Sequence, residues 1–299
     1  MQTTAKTATS AGRADSALRY RAQRIAGQAL AYGSLILLSA FVLMPLGWML
    51  TVALKPDNMP YFTIPPEWFP TSYWEWNNFP RALLDSVQPF LRYTFNTLII
   101  VLGNMVGTLF SCSLVAFAFA RLRFRGSELL FNVLIITMLI PWQVLMIPQF
   151  LLYYKLGWYG TYLPLIVPSF TGNAFFIFLI RQYMRSFPRD LDESARIDGC
   201  NFWQVFWYIV LPLSTPVLVV CMVFVFQNTW SDLLGPLIYL DSNNKFTLAV
   251  GLANMVTRAG TKWNLLMAAN LITIIPMVVV YFFAQEKLIG GIASVGLKG

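Results

Sequence analysis

Six runs of apolar residues, each about as long as a helix needs to cross a hydrocarbon layer, leave this chain few ways to fold. They lie at Gly27–Leu54, Leu91–Ala120, Leu129–Leu152, Tyr162–Ile180, Leu213–Leu240 and Leu265–Ala284. A helix rises about 1.5 Å per residue, so about 20 residues cover a layer about 30 Å thick. In lipid the backbone N–H and C=O groups must pair within the segment, and a helix does this by itself. Composition agrees. Only 11% of the 299 residues are charged, against about 25% in a soluble domain. The expected fold is therefore an all-α membrane protein with six transmembrane helices over residues 27–285. A tail, 1–26, precedes them and another, 286–299, follows. Pro45, Pro141, Pro148, Pro168, Pro216, Pro236 and Pro276 fall within the runs. Proline is tolerated there because neighbouring groups satisfy the carbonyls it frees.

Basic residues orient the bundle. With six spans, one side holds the N-terminal tail, the 121–128 loop, the 181–212 segment and the C-terminus. That side carries two-thirds of the 21 lysines and arginines. Lys and Arg accumulate in cytoplasmic loops, so both termini are expected to be cytoplasmic. The same bias accounts for the net charge of +8 without nucleic acid. The chain has no histidine, which removes the commonest general base and metal ligand. Cys112, Cys200 and Cys221 have no metal-binding or disulfide spacing and read as small packing residues. The C-terminal "GIASVGLKG" imitates a phosphate loop but lacks the Gly-Lys-Ser/Thr step and any helix after it. No metal, nucleotide or other cofactor is expected on this chain.

Two further features concern packing and surface. Gly103 and Gly107 form a G-x-x-x-G pair in the second run, which lets helices approach closely. On the outer side, residues 55–90 are rich in Trp, Tyr, Phe and Pro. Such a segment suits the membrane–water boundary, or a docking surface for an external partner.

The exception to this apolar character is "RDLDESARIDG", Arg189 to Gly199. Four of the chain's 13 acidic residues crowd into it: Asp190, Asp192, Glu193 and Asp198. Ser186, Pro188 and the early acids read as a helix start, and Gly199 as its stop. Asp192 and Arg196 stand four apart, the spacing of a supportive pair. Leu191, Ser194 and Ala195 give the helix one small, weakly apolar face. That face suits either a groove on another protein or the side of the bundle. A second helix-like run, "NFWQVFWYIVLP", follows the glycine and sets Phe202, Phe206 and Ile209 on one side.

These residues carry a resemblance. "ESARIDGCNFWQVFWYIVLP" is similar to the EAA motif of ABC importer permeases, E-A-A-x-x-x-G followed after nine residues by I-x-L-P. Glu193, Ser194, Ala195, Gly199, Ile209, Leu211 and Pro212 occupy its positions, and Asp198 the acid that often precedes the glycine. Ser194 stands where the family usually has alanine. "WSDLLGPLIYL", "FTLAVGL" and the C-terminal run extend the likeness to carbohydrate-uptake permeases, in particular the second membrane subunit of maltose-type importers. The resemblance implies a type I importer permease in a prokaryotic cytoplasmic (inner) membrane, with a coupling segment at about 187–212. It also implies the partners: a second, different permease subunit, two ATPase subunits that bind ATP and Mg, and an extracytoplasmic solute-binding protein. The chain itself would be a non-catalytic transport subunit working by alternating access.

Within the runs a few polar side chains stand out as substrate-pathway residues: Gln227, Asn228, Trp230, Asp232, Asn104, Asn173 and Asn270. Amides and a carboxylate bond sugar hydroxyls, but amides also join membrane helices to one another. Asp232 falls near the outer end of its run. A glycerol-phosphate-type substrate would favour cationic groups, and no Lys or Arg is central in any run. An ion-coupled carrier would call for buried acids or histidines and an internal repeat. A scaffold that only recruits a partner is a third class, distinguished by having no substrate pocket.

Overall fold

The computed structural model describes residues 4–68, 74–84, 89–256 and 260–296, with side chains from 23 to 287. Part of the aromatic outer segment (69–73) and the end of the phosphate-loop imitation (297–299) lie outside the described residues. The described chain is helical, with no strand among the described residues. Helix α1 (Thr4–Ala53) begins well before the first apolar run; α2 (Asn78–Leu84) is short; α3 (Phe90–Arg121) is one unbroken helix. Then come α4 (Ser127–Thr137), α5 (Trp142–Lys155), α6 (Leu163–Ile166) with a 3-10 turn at Val167–Thr171, and α7 (Ala174–Arg185). The charged segment forms α8 (Asp190–Ile197), followed by α9 (Phe202–Val205), a π-helical turn at Phe206–Val210, α10 (Leu211–Leu213) and α11 (Thr215–Trp230). The chain closes through α12 (Leu234–Tyr239), α13 (Leu248–Asn254) and α14 (Trp263–Gly296).

Three of the six expected spans are not single helices; the run 162–180 passes from α6 through the 3-10 turn to α7. The run 129–152 breaks between α4 and α5, which meet at 94°. Pro141 has no N–H to continue the ladder, and its extended backbone (ψ 134°) starts α5 in a new direction. The run 213–240 opens on a bend of 74° at Ser214, between the helix that ends at Leu213 and α11, and it breaks again after Trp230 before α12. Pro212 and Pro216 remove two ladder donors. The hydroxyl of Thr215 donates to the Pro212 carbonyl and that of Ser214 to the Val210 carbonyl, satisfying acceptors at the bend. Among the described residues four helices are long and apolar enough to cross a membrane, and up to six if each bent pair counts as one span.

Helix α3 is the axis of the bundle. It packs on α7, on the 3-10 turn and on α11, while α14 packs on α11, α1 and α2. Two cores lie along it. One gathers Cys112, Ala116, Phe117, Ile180, Met184, Phe206 and Cys221; the other gathers Tyr93, Val101, Phe226, Trp230, Leu248 and Ala268. Gly103 and Gly107 give α3 its closest neighbour. A Cβ added at Gly107 would lie 2.1 Å from Ser169 Oγ, and one at Gly103 would lie 2.7 Å from Ile166 Cγ2.

Polar groups collect at the two ends of α3. Beyond its N-terminus the carbonyls that end α1 accept from buried amides. Asn78 Nδ2 donates to Ala53 O (2.8 Å) and Lys55 O (2.9 Å), and Asn264 Nδ2 to Lys55 O (3.0 Å). A helix leaves its last carbonyls without internal partners, and here two asparagines from α2 and α14 supply them. Asp57 accepts from Arg81 (2.9 Å) and Asn264 (2.7 Å), and the Arg81 bond in particular holds its carboxyl below the usual range. Lys55 is fully buried, paired with Glu67 at 3.2 Å. Nearby, Asn96 Nδ2 donates to Asn244 O and Phe246 O, and Lys245 Nζ to Gly160 O. The opposite end brings residues 121–124 beside α8. The loops assigned from sequence to one side thus meet at one end of the bundle.

Candidate coupling segment and translocation face

Helix α8 is a short element with a firm end. Gly199 takes φ +89°, a conformation nearly free for glycine and costly for other residues. The Cys200 N–H then donates to Ala195 O (2.9 Å) and the Gly199 N–H to Arg196 O (3.0 Å), the paired bonds of a Schellman stop. The next element starts at once. Asn201 Oδ1 accepts from the Gln204 N–H (3.0 Å), and Gln204 Oε1 from the Asn201 N–H (2.7 Å), a reciprocal capping box. Helix, glycine turn and helix are therefore fixed by local bonds. The π-helical turn ahead of Pro212 widens the ladder where a donor is missing, the Leu211 N–H reaching back to Phe206 O.

The start of α8 differs from its sequence reading. Ser186 ends α7, its hydroxyl donating to Tyr183 O (2.7 Å), and the helix begins at Asp190, two residues beyond Pro188. Asp190, Asp192 and Glu193 do lie in its first turn, where the helix dipole favours acids. The expected Asp192–Arg196 pair is not formed. Asp192 turns inward to Arg121, the last residue of α3, at 3.3 Å, and Arg196 lies over the Phe202 ring at 4.6 Å. The small face is also divided. Ala195 is buried against the bundle, whereas Leu191 and Ser194 face outward with Glu193, Asp198 and Gly199. Ile197 is 86% exposed. In the following run Phe206 is buried, Ile209 and Leu211 are half-buried, and Phe202 and Pro212 are exposed. Between α8 and the end of α3 opens a cavity of about 490 Å³, lined by Arg121, Arg123, Arg189, Arg196, Asp192 and Glu193. Sequence reasoning misses Arg121, whose position at the edge of an apolar run is the only signal it gives there.

The pathway residues separate into three groups. Gln227 and Asn228 are exposed side chains near the end of α11. Amides on a membrane helix are poorly placed against lipid, so this face needs a polar neighbour. Trp230 and Asn270 line a second cavity of about 280 Å³ with Ser231 and Thr273. The Trp230 ring stacks on Phe226 and its Nε1 donates to Thr273 O (3.1 Å), while Asn270 Nδ2 donates within its own helix to Leu266 O (2.8 Å). The third group bonds to neighbouring helices and helix starts. Asn104 Nδ2 donates to Thr229 Oγ1 (3.2 Å), tying α3 to α11. Asp232 lies past the end of α11, its Oδ1 accepting from the Gly235 N–H (3.1 Å) at the start of α12. Asn173 is the N-cap of α7, its Oδ1 accepting from the N–H groups of Phe175 (3.0 Å) and Phe176 (3.4 Å).

Capping makes a prediction for Asn173. Asn173→Ala should lower stability by about 1 kcal/mol, and Asn173→Asp or Asn173→Ser should restore it. Thermal aggregation of the detergent-solubilised chain reads the first effect. Loss of transport by the serine variant at full stability would assign the amide to substrate instead.

Three comparisons place the chain among known proteins. A family described as "Binding-protein-dependent transport system inner membrane component" matches residues 112–293, which include all of α8 to α13. The arabinooligosaccharides transport system permease protein AraQ of Halalkalibacterium halodurans is 36% identical over 204 residues, 68% of this chain and 73% of that protein. The maltose/maltodextrin transport system permease protein MalG of Yersinia pestis is 27% identical over 277 residues, 87% of this chain and 90% of that protein. Among solved structures, a chain of a bacterial ABC transporter involved in the import of the acidic polysaccharide alginate has a TM-score of 0.75 at 23% identity, covering 89% of this chain and 97% of that one. That likeness shows a shared fold. A family match over more than half the chain, with α8, its glycine stop and the following helix inside it, decides the assignment: this chain belongs to the binding-protein-dependent transport system inner membrane components, the permease subunits of ABC transporters.

Proposed function

We propose that this chain is one membrane half of a sugar importer in a prokaryotic cytoplasmic membrane, with α8 as its joint to an ATPase. The observation that carries the joint is the exposed edge of α8. Leu191, Glu193, Ser194 and Ile197 point away from the bundle on a helix fixed at both ends of its glycine turn. A segment so rigid and so little buried is made for a partner. The two bent pairs each count as one crossing, giving six, with α8 and both termini in the cytoplasm. The excess of Lys and Arg on that side supports this orientation.

The machine would include a second, different permease subunit, two ATPase subunits that bind ATP and Mg, and an external solute-binding protein. ATP would draw the ATPases together, α8 would move with them, and the helices around the pathway would change from inward-open to outward-open. Substrate would meet the amide face of Gln227 and Asn228 and the cavity at Trp230 and Asn270. Neutral hydroxyl-rich molecules suit such groups. The sugar-transport relatives support an oligosaccharide, and the absence of central cations from the apolar runs weighs against a phosphate ester.

Purification of the tagged chain from its native membrane in mild detergent tests the reading. A second permease and an ATPase should co-purify, with ATP turnover that rises when the binding protein and an arabino- or malto-oligosaccharide are added. A chain that purifies alone, with no ATP turnover, would favour the carrier or the scaffold instead.

A further inference from the structure

We infer that the buried Arg121–Asp192 ion pair is the positioning device through which movement of α8 is passed to α3, the axis of the bundle. The inference rests on α8 being the ATPase joint.

Helix α8 has little else to hold it. Asp192 and Ala195 are its two buried residues. Alanine offers one methyl group, a contact that slides. Asp192 offers a directed bond: its Oδ2 lies 3.3 Å from Arg121 Nη1, and this is the one ion pair from α8 to another helix among the described residues. The side chains are 4% and 12% exposed, so bulk water screens the contact only weakly. The same Nη1 donates to Phe187 O at 3.4 Å in the turn that leads into α8. Arg121 therefore grips both the helix and its approach.

Position makes the contact mechanical. Arg121 ends α3, whose 32 residues run without a break past both cores to Phe90. Along the way α3 carries Gly103 and Gly107 against the turn at 166–170, and Asn104 against Thr229 of α11. Asn104 thus links α3 to the helix that bears Gln227 and Asn228. A pull on Asp192 reaches that face through one rigid helix and one interhelical bond.

Stability alone explains the pair poorly. Burying two charges costs about as much as their attraction returns, and apolar residues of similar size often hold a site as well. This pair is also incompletely bonded: Arg121 Nε and Asp192 Oδ1 are buried with no hydrogen-bond partner among the described residues. A spare donor and a spare acceptor let the guanidinium and carboxylate exchange one bonded arrangement for another without coming apart. Such a contact can stay joined while α8 shifts, where a tightly fitted apolar contact would have to repack.

The test replaces the charges while keeping the bulk, in the complete purified complex reconstituted in liposomes. The background carries Cys200→Ser, and Phe224→Cys, at an exposed position on α11 one turn before Asn228, reports the α11 face through its rate of reaction with a polar maleimide. In the parent, ATP with vanadate should change that rate by about fivefold or more, the lower end of typical coupling. Arg121→Met combined with Asp192→Leu should leave the complex assembled and hydrolysing ATP while the labelling rate changes less than twofold. Asp192→Glu with Arg121 in place, which keeps both charges, should keep the response. A full response in the Met/Leu double variant would overturn the inference, and so would failure of that variant to assemble, since the pair would then be a folding requirement. A parent complex without ATP turnover would instead remove the reading of α8 as an ATPase joint.

Discussion

Replacing Gly199 by valine should abolish transport, whereas asparagine should leave most of it. The reason lies in the backbone. Gly199 sits at φ +89°, where an L side chain is strained, and a β-branched one most of all. The penalty for an ordinary residue is about 1–2 kcal/mol, enough to lower the population of the formed turn about 5- to 30-fold. The Schellman bonds from Cys200 and Gly199 would go with it, and α8 would lose its angle to α9. Asparagine tolerates this conformation better than other residues, so the expected order of activity is glycine, asparagine, alanine, valine. Within the chain a Cβ at this position meets nothing within 4 Å. That absence makes the series diagnostic. Transport by membrane vesicles, with the amount of co-purified ATPase as a second readout, gives the order. If asparagine is as damaging as valine and the ATPase no longer co-purifies, the constraint comes from a partner pressed against the Gly199 backbone and not from strain.

Much of this segment is legible in the amino-acid sequence. Gly199 as a stop, acids in the first turn and a second helix after the glycine all follow from local chemistry, which neighbouring residues settle among themselves. What the sequence hides is decided at a distance. Asp192 and Arg196 have the spacing of a helical pair, yet Asp192 turns to Arg121, 71 positions earlier. An inward-facing carboxylate needs a fixed partner far more than an exposed one does. Ser186 has the chemistry of a cap but ends the preceding helix, because a hydroxyl beside a helix end can serve either element. Asn173 and Asp232, read as pathway residues, also hold helix starts, since a group that suits a sugar hydroxyl also suits a backbone N–H. The two bent spans are hidden for a related reason. Hydropathy reports that a run is apolar, and a proline within it gives the place of a bend without its angle.

The packing of Gly107 is legible only as a spacing, and it carries the largest structural effect. Gly107→Leu should prevent accumulation of the folded chain in the membrane, and Gly107→Ala should destabilise it by about 1–3 kcal/mol. Lipid tails are as apolar as the side chains, so helices in a bilayer gain by close fit. Here the fit leaves no room. An added Cβ would lie 2.1 Å from Ser169 Oγ and 2.7 and 2.8 Å from two ring carbons of Phe170. The turn is itself tied down: Ser169 Oγ donates to Ile166 O (2.7 Å), and Ser111 Oγ on α3 donates to Ser169 O (3.0 Å). Rotation of the serine would relieve one contact and leave the aromatic ring. At Gly103 the nearest atoms all belong to the Ile166 side chain and lie at 2.7 Å or more, so Gly103→Ala should cost less. Thermal aggregation in detergent reads the two alanine variants directly. Ser169→Gly should recover part of the loss in Gly107→Ala, because the two positions touch and their effects cannot be independent. Additive losses in that double variant would show that α3 and the 166–170 turn do not meet at Gly107.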